Sequence, residues 1–345
     1  MTRRQDSVTI REVAKKAGVS VATVSRYTNS SAPVSPEVAE RLAQVMSELH
    51  YMPHAAARQL ATRKTRAVGL LLNNLRNDFF VPFLNGVEDV VRKKGYNLII
   101  ATYLADSREE TPPPIGPHNT DGMLVFSDGL GDEALASYHA TGFPMVLVHS
   151  TPPASLSIPS VTVENIEITR QLIEHLIRVH GRQRIVFLRG PKGQEDSFLR
   201  ERGYRQALEA NGLEYDKRLI HTGGFERGIA YDAINTILSN GNRTQFDAVF
   251  AGSDDAAIGV FRALQQHGVR IPEDVSVAGF DNLGFGRFLD PPLTTVSAPT
   301  ETVARMATER LFGLLDNQPS EGAVVLPTEL ILRRSCGCQF EQPAL

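Results

Sequence analysis

Apolar residues in the first fifty positions recur every three or four residues, whereas from Ala67 onward they gather into short aliphatic runs. The first pattern predicts helices. Thr9-Ile10-Arg11-Glu12 reads as a capping box, in which the Thr oxygen takes the N3 amide and Glu reaches back to the cap. Ile10, Val13, Ala14 and Ala17 then share one face, and Gly18 suits the left-handed residue that ends a helix. Ser20 can cap a second helix running to about Thr28. Ser35-Pro36-Glu37 offers a third helix a cap, a first-turn proline and an acid; that helix buries Val38, Leu42, Val45, Met46 and Leu49. Two short helices about a turn containing Gly make a helix-turn-helix unit, whose second helix enters a DNA major groove.

The second pattern alternates strands with amphipathic stretches. Strands are expected at Val68–Leu72, Asn97–Thr102, Met123–Phe126, Met145–Val148, Arg184–Leu188, Ala248–Ala251 and Val275–Ala278, and helices at Phe83–Lys94, Ile166–Val179, Gly203–Asn211 and Ala256–His267. Such alternation builds parallel βαβ units covered on both faces. The fold class expected is therefore α/β with an all-α N-terminal domain, the α/β part being two doubly wound subdomains. A ligand between them would sit at the C-terminal ends of strands. Asn73, Phe79, Phe80, Ser253, Asp254 and Asp281 fall at such ends. Residues 107–121 carry Pro112, Pro113, Pro114 and Pro117, which forbid a regular crossover helix there.

Charge sharpens the division. Residues 1–66 hold eleven Lys/Arg against five Asp/Glu, a net +6, while residues 67–345 are −9. A basic head on an acidic body suggests a polyanion touched at one end. The N-terminus has no apolar stretch of the signal-peptide kind, and no run approaches the ~18 apolar residues of a membrane span; a cytoplasmic protein is expected. Cys336 and Cys338, the only two cysteines, are too few for a disulfide framework and read as reduced and incidental. The nine histidines show no metal spacing: His175 and His180, five apart, would fall on different helix faces. No metal and no cofactor are expected. Neither G-x-G-x-x-G after the first strand nor G-x-x-x-x-G-K-[ST] is present, and no nucleophile–base pair suggests an enzyme.

The string TIREVAKKAGVSVATVSRYTN, then Tyr51-x-Pro53, then A-x-x-L-A, resembles the lactose/galactose repressor (LacI/GalR) family of bacterial transcriptional regulators, and the likeness runs through nearly the whole chain. The resemblance implies a DNA-binding domain over 1–53, a hinge helix and linker over 54–65, and a periplasmic-binding-protein-like sensor over 66–345. Within the sensor it implies a first subdomain of about 66–164 and 297–322 and a second of about 165–296 and 323–335, with a helix near 300–315 in the first and a final strand near 324–333 in the second. Ser20, Thr23, Ser25 and Asn29 match phosphate-contacting positions, and Thr9 joins the expected DNA contacts. Val21, Ala22 and Arg26 match base-reading ones, where small apolar groups meet thymine methyls and Arg grips guanine. The competing reading makes Val21 and Ala22 core, but Val24 on the opposite face already supplies core.

In the hinge, Leu60 matches a wedge for the minor groove, and Ala57 is small enough for two hinge helices to approach; alternatively Leu60 packs on the sensor. Arg200 matches the family's R-x-x-G arginine and Phe225 an aromatic stacked on a sugar. The competing reading pairs Arg200 with Glu201 or Asp196 on a solvated face and makes Phe80 core. The partners implied are a double-stranded DNA operator, a small-molecule effector (a sugar first, a nucleoside or nucleobase second) and a second copy of the chain. A sugar-binding protein with no DNA role is the alternative from another class. The chain departs from the family at Ser253, Glu164, Ala298, Tyr27 and in the His180-Gly181 order.

Overall fold

The structure, a computed structural model, describes residues 8–29, 32–51, 64–103, 112–127, 129–239, 246–320 and 322–339. The chain divides into two units, Met1–Arg66 and Ala67–Leu345. In the first, α1 (Ile10–Ala17), α2 (Val21–Asn29) and α3 (Pro36–Glu48) surround a small core of Val13, Ala14, Ala17, Val24, Leu42 and Val45. Both halves of the capping box form at Thr9 and Glu12, and Gly18 ends α1 with φ 67°. Ser20 caps α2 by accepting from the Thr23 amide at 3.1 Å. Ser35 makes no side-chain cap, contrary to expectation; Pro36 at the first position, lacking an N–H, already removes one of the donors a cap would serve. Lys16 and Glu48 join α1 to α3 at 2.8 Å. The expected hinge helix, with Ala57 and Leu60, lies outside the described residues.

The second unit holds two parallel sheets. The first runs β11-β5-β4-β3-β1-β2, from β1 (Ala67–Leu72), β2 (Asn97–Thr102), β3 (Gly122–Phe126), β4 (Met145–Val148), β5 (Ser160–Val163) and β11 (Ala323–Leu326). The second runs β7-β6-β8-β9, from β6 (Ile185–Arg189), β7 (Ile220–Thr222), β8 (Ala248–Ala251) and β9 (Ser276–Ala278). Strands β1, β3, β4, β5 and β8 are buried throughout, as both faces of a parallel sheet require. Helices α4 (Phe80–Lys93) and α5 (Asp132–Ala140) belong to the first half; α6 (Ile166–Arg178), α7 (Glu195–Ala210), α8 (Arg227–Ser239) and α9 (Asp254–Gln266) belong to the second. Helix α10 (Thr300–Leu315) returns to the first sheet, where Val303, Ala307 and Leu311 join the core of Phe83 and Val87.

Two expectations are corrected. The final strand over 324–333 splits: β11 pairs in parallel with β5 in the first sheet, and only β12 (Glu329–Ile331) crosses, antiparallel to β10 (Thr295–Ser297). Pro327 between them has no N–H for a ladder, and Arg310 fixes the first piece by donating to the carbonyls of Ser160 (2.9 Å) and Gly322 (3.1 Å). The first half therefore extends to Leu326 rather than 322. Second, α7 begins at Glu195, well before Gly203. Gly203 is a contact point inside the helix: a Cβ there would lie 2.3 Å from the Ile166 carbonyl.

Where a crossover helix would cover the first sheet, residues 112–121 form a turn instead, closed by Asn119 Nδ2 donating to the Pro114 carbonyl at 2.8 Å. Its single apolar plug, Ile115, is fully buried over Gly69. A Cβ at Gly69 would lie 2.2 Å from Ile115. Strand β2 is partly exposed.

Candidate ligand cleft and DNA-reading helix

On α2 the burial pattern separates core from reader. Val24 is fully buried, whereas Val21, Ala22 and Arg26 face outward, Val21 with 42% of its surface exposed. Ser20 and Thr23 share a hydroxyl contact of 2.9 Å at the helix start, and Thr9 is committed to its capping box. Ser25 is half-buried and Asn29 closes the helix. Tyr27, whose role the sequence leaves open, packs against the head's core.

In the second unit a cleft opens between the two halves at the C-terminal ends of their strands. Seven of the eight expected ligand residues line it: Asn73, Phe79, Phe80, Arg200, Phe225, Ser253 and Asp281. Asp254 does not. Its fully buried carboxylate accepts from Thr295 Oγ1 (2.6 Å) and the Leu283 amide (2.7 Å), so it pins the 279–283 loop behind the cleft. Burial pushes its pKa up to about 7 against the pull of those two bonds. Its neighbour Asp255 lines the cleft instead. Ser253 caps α9 by accepting from the Ala256 amide at 3.1 Å, and the buried Asp255 side chain turns toward the cleft.

Arg200 is buried, not on a solvated face. Nε donates to Asn165 Oδ1 at 2.9 Å and Nη1 to the Gly252 carbonyl at 2.5 Å, while Nη2 stands 3.7 Å from Asp196. The guanidinium lies 3.5 Å over the Phe280 ring and 5.2 Å from the Phe225 ring. Asn165 is available for this because Glu164 takes over the capping of α6, accepting from the Glu167 (2.7 Å) and Ile168 (2.8 Å) amides. Phe225 occupies a slot over two glycines: a Cβ at Gly190 would lie 2.2 Å, and at Gly252 2.8 Å, from its ring. Reaching that slot requires left-handed backbone at Gly224 (φ 63°) and Phe225 itself (φ 58°). Ser127, His149 and Asp281 are likewise left-handed and line the cleft, the usual placing of stored backbone strain at a binding site.

His149, Asp196 and Asn165 were not singled out as ligand residues from sequence. His149 Nδ1 lies 2.8 Å from Asp196 Oδ2 across the two halves, and Asn165 Nδ2 donates to Asp196 Oδ1 at 2.9 Å. Burial would raise the Asp196 pKa, but His149, Arg200 and Asn165 together hold it below the usual carboxylate value. The other imidazole nitrogen of His149, Nε2, is buried without a partner among the described residues and belongs to the cleft lining. Its ring packs on Phe79 and Phe126 at 5.7 and 5.3 Å; the signal available from sequence was its place just after β4. Phe80 does both jobs considered for it, lining the cleft and joining the core.

Asp281, 7% exposed, receives no hydrogen bond on its carboxylate from a described residue, and burial pushes its pKa up to about 8, Arg200 pulling down and Asp254 pushing further. At the rims the halves are joined directly. Thr151 donates its amide (2.6 Å) and hydroxyl (2.9 Å) to Glu195, and Arg227, held by Asp255, reaches Asp78 at 3.1 Å. A planar donor, unpaired acceptors and an exposed ring face suit a ligand rich in hydroxyl groups.

Comparison with known proteins agrees with both units. Residues 9–54 match the family described as bacterial regulatory proteins, lacI family, and residues 173–336 match the periplasmic binding protein-like domain. The transcriptional regulator CelR of Thermobifida fusca is 33% identical over 346 residues, covering 96% of this chain and 99% of that protein. A solved structure of a CelR–cellobiose complex superposes with TM-score 0.67 at 30% identity, over 95% of this chain and 99% of that one. The Lac repressor dimer bound to operator and an anti-inducer shares the fold, with TM-score 0.78 at 24% identity over 96% and 99% of the two chains.

Proposed function

Because the chain belongs to the lacI family of bacterial regulatory proteins, we propose that it acts as a homodimeric repressor whose hold on a pseudo-palindromic operator is set by a sugar bound in the cleft. That it is a DNA-binding transcriptional regulator, and not an enzyme, follows from the family. Among the described residues no helix is long and apolar enough to cross a membrane.

The observation that carries the sugar reading is the combination around Asp281. A buried carboxyl that receives no hydrogen bond from a described residue faces the same space as Arg200's remaining N–H groups and the Phe225 ring. Vicinal hydroxyls both donate and accept, so one sugar edge would satisfy Asp281 and Arg200 together while its apolar ring face lies on Phe225. His149 Nε2 would provide one further polar contact from the opposite half. The cellobiose held by the CelR structure is consistent with this chemistry.

Ligand groups that bond to both halves favour the closed arrangement, in which Thr151–Glu195 and Asp78–Arg227 meet. Closure would alter the dimer contacts and hence whether the hinge segments, with Ala57 and Leu60, pair on DNA. Coupling of this sort is typically ~1–3 kcal/mol, about 5–150-fold in operator affinity. One reader helix covers only a half-site, so a dimer is what a two-fold operator demands.

On DNA, Ser20, Thr23, Ser25 and Asn29 would contact phosphates and Val21, Ala22 and Arg26 bases, with Thr9 a further contact of the head. The test is selection of randomised duplex DNA on the full-length protein at fixed salt, repeated with a panel of mono- and disaccharides. Enrichment of a symmetric site whose retention one sugar changes is the expected result. A symmetric site indifferent to every sugar but released or tightened by a nucleoside would replace the effector class. Absence of any symmetric site would refute the dimeric operator reading.

A further inference from the structure

Away from the cleft, four side chains from opposite ends of the second half converge. His175 lies in the last turn of α6, which ends at Arg178. Just past that end the His180 ring lies 4.8 Å from that of His175, and the chain then turns away through Gly181 (φ 66°). The expectation that residues five apart would diverge fails because His180 is no longer helical. From the other side come Cys336, fully buried at the end of the 3-10 turn Arg334–Cys336, and Cys338, half-buried. Gly337 between them has φ 114°, a backbone state that turns both thiols toward the imidazoles. A Cβ at Gly337 would also stand 2.8 Å from His180 Nδ1. Only glycine meets both demands.

We propose that His175, His180, Cys336 and Cys338 bind one zinc ion, which clamps the end of the returning chain to α6. Four of the six separations among the ligand atoms are those of a tetrahedral set. Zinc–nitrogen bonds of ~2.0–2.1 Å and zinc–sulfur bonds of ~2.3 Å imply edges of about 3.3 Å between nitrogens and about 3.6 Å between nitrogen and sulfur. The two Nε2 atoms lie 3.1 Å apart, His175 Nε2 is 3.7 Å from Cys336 Sγ and 3.4 Å from Cys338 Sγ, and His180 Nε2 is 3.5 Å from Cys338 Sγ. All four ligand atoms fall within 4.8 Å of one another. Two nitrogens and two sulfurs select zinc over the hard cations that prefer oxygen. Two thiolates also cancel the ion's charge, so the loaded site is neutral and its burial is tolerated.

The support around the site is already rigid. Ser335 Oγ donates to the Val277 carbonyl at 2.6 Å and accepts from the Thr294 amide at 2.8 Å, while Ser276 Oγ donates to the Cys336 carbonyl at 2.7 Å. The cysteines are thus held against β9 whether or not a metal binds. Four protein ligands leave no open position for substrate, which makes the site structural. Its effect would be to make the second half one rigid body, the state in which cleft closure is transmitted rather than absorbed. The H-x4-H spacing lies within the common zinc pattern; the C-x-C pair is one residue tighter than usual, a spacing Gly337 permits.

The experiment uses untagged full-length protein from zinc-replete cells, its metal content read by plasma mass spectrometry. About one zinc per chain is expected, falling to background in Cys338→Ser and in His180→Ala. Chelator-stripped wild type should develop the intense visible bands and thiolate charge-transfer band of tetrahedral cobalt(II) when titrated with that ion, and Cys338→Ser should lose the charge-transfer intensity. Circular dichroism on each variant shows that it is folded, and zinc should raise the Tm of stripped wild type but not of the variants. Wild type without metal and without a cobalt band would overturn the site. So would metal retained by both variants, or a Cys336–Cys338 disulfide in the protein as isolated, which would make the pair a redox couple.

Discussion

Replacing Asp281 by Asn tests the electrostatics of the cleft without any ligand. The carboxyl has a pKa of about 8 in the folded protein against an ordinary 3.8. Below pH 3.8 both folded and unfolded chains carry the proton and the group contributes nothing. Between 3.8 and about 8 the unfolded chain ionises while the folded one keeps its proton. Each pH unit in that window therefore costs the folded state about 1.4 kcal/mol, and the loss is complete above 8. Asparagine preserves the size and tolerates the left-handed φ of 113° but does not titrate. The stability of Asp281→Asn relative to wild type should thus climb by about 2–3 kcal/mol from pH 5 to pH 7.

The chain has no tryptophan, so urea unfolding would be followed by far-ultraviolet circular dichroism. His175, His180 and His221, whose pKa values burial lowers, titrate alike in both proteins and cancel in the difference. A difference that is flat, or that falls with pH, would refute the claim that Asp281 is a buried acid kept for a ligand's hydroxyl donors. The same logic predicts proton release when such a ligand binds, since donors to the carboxylate favour its ionised form.

Three further outcomes are expected. Gly190→Ala places a methyl where the Phe225 ring lies, so effector affinity in calorimetry should fall about tenfold; if the loss adds fully to that of Phe225→Ala, the two do not share one slot. Arg26→Ala should cost ~1–3 kcal/mol of operator binding and relax preference at one base position of each half-site; equal weakening on every sequence would make Arg26 a phosphate contact. Thr9→Ala removes a cap oxygen from α1 and should destabilise the head by about 1 kcal/mol in thermal unfolding, with no effect if Glu12 alone holds the helix start.

What could be read from the sequence was what depends on neighbours a few residues apart. The caps at Thr9 and Ser20, the left-handed Gly18 and the i, i+3, i+4 faces describe the head almost completely, because short-range hydrogen bonds and helix periodicity decide it. The strand-end rule likewise places Asn73, Ser253 and Asp281 at the cleft, since a parallel sheet presents those ends to one side. The resemblance to a known family supplied Arg200 and Phe225. Ser35 shows the limit even at short range, a good cap residue left unused beside a proline.

Tertiary structure alone decided the rest. Which of Asp254 and Asp255 faces the cleft depends on packing: Asp254 is taken up by the loop it holds, and Asp255 turns toward the cleft. That His149 meets Asp196 and that Asn165 serves Arg200 follows from three elements approaching across the cleft, with Glu164 relieving Asn165 of its cap. The strand over 324–333 divides between two partners because Pro327 and Arg310 settle which edge each piece can reach. His175 and Cys336 are far apart in the chain, and nothing local to either indicates the other. Pattern along a sequence records what each segment must bury; which buried groups then meet is fixed only when the segments pack.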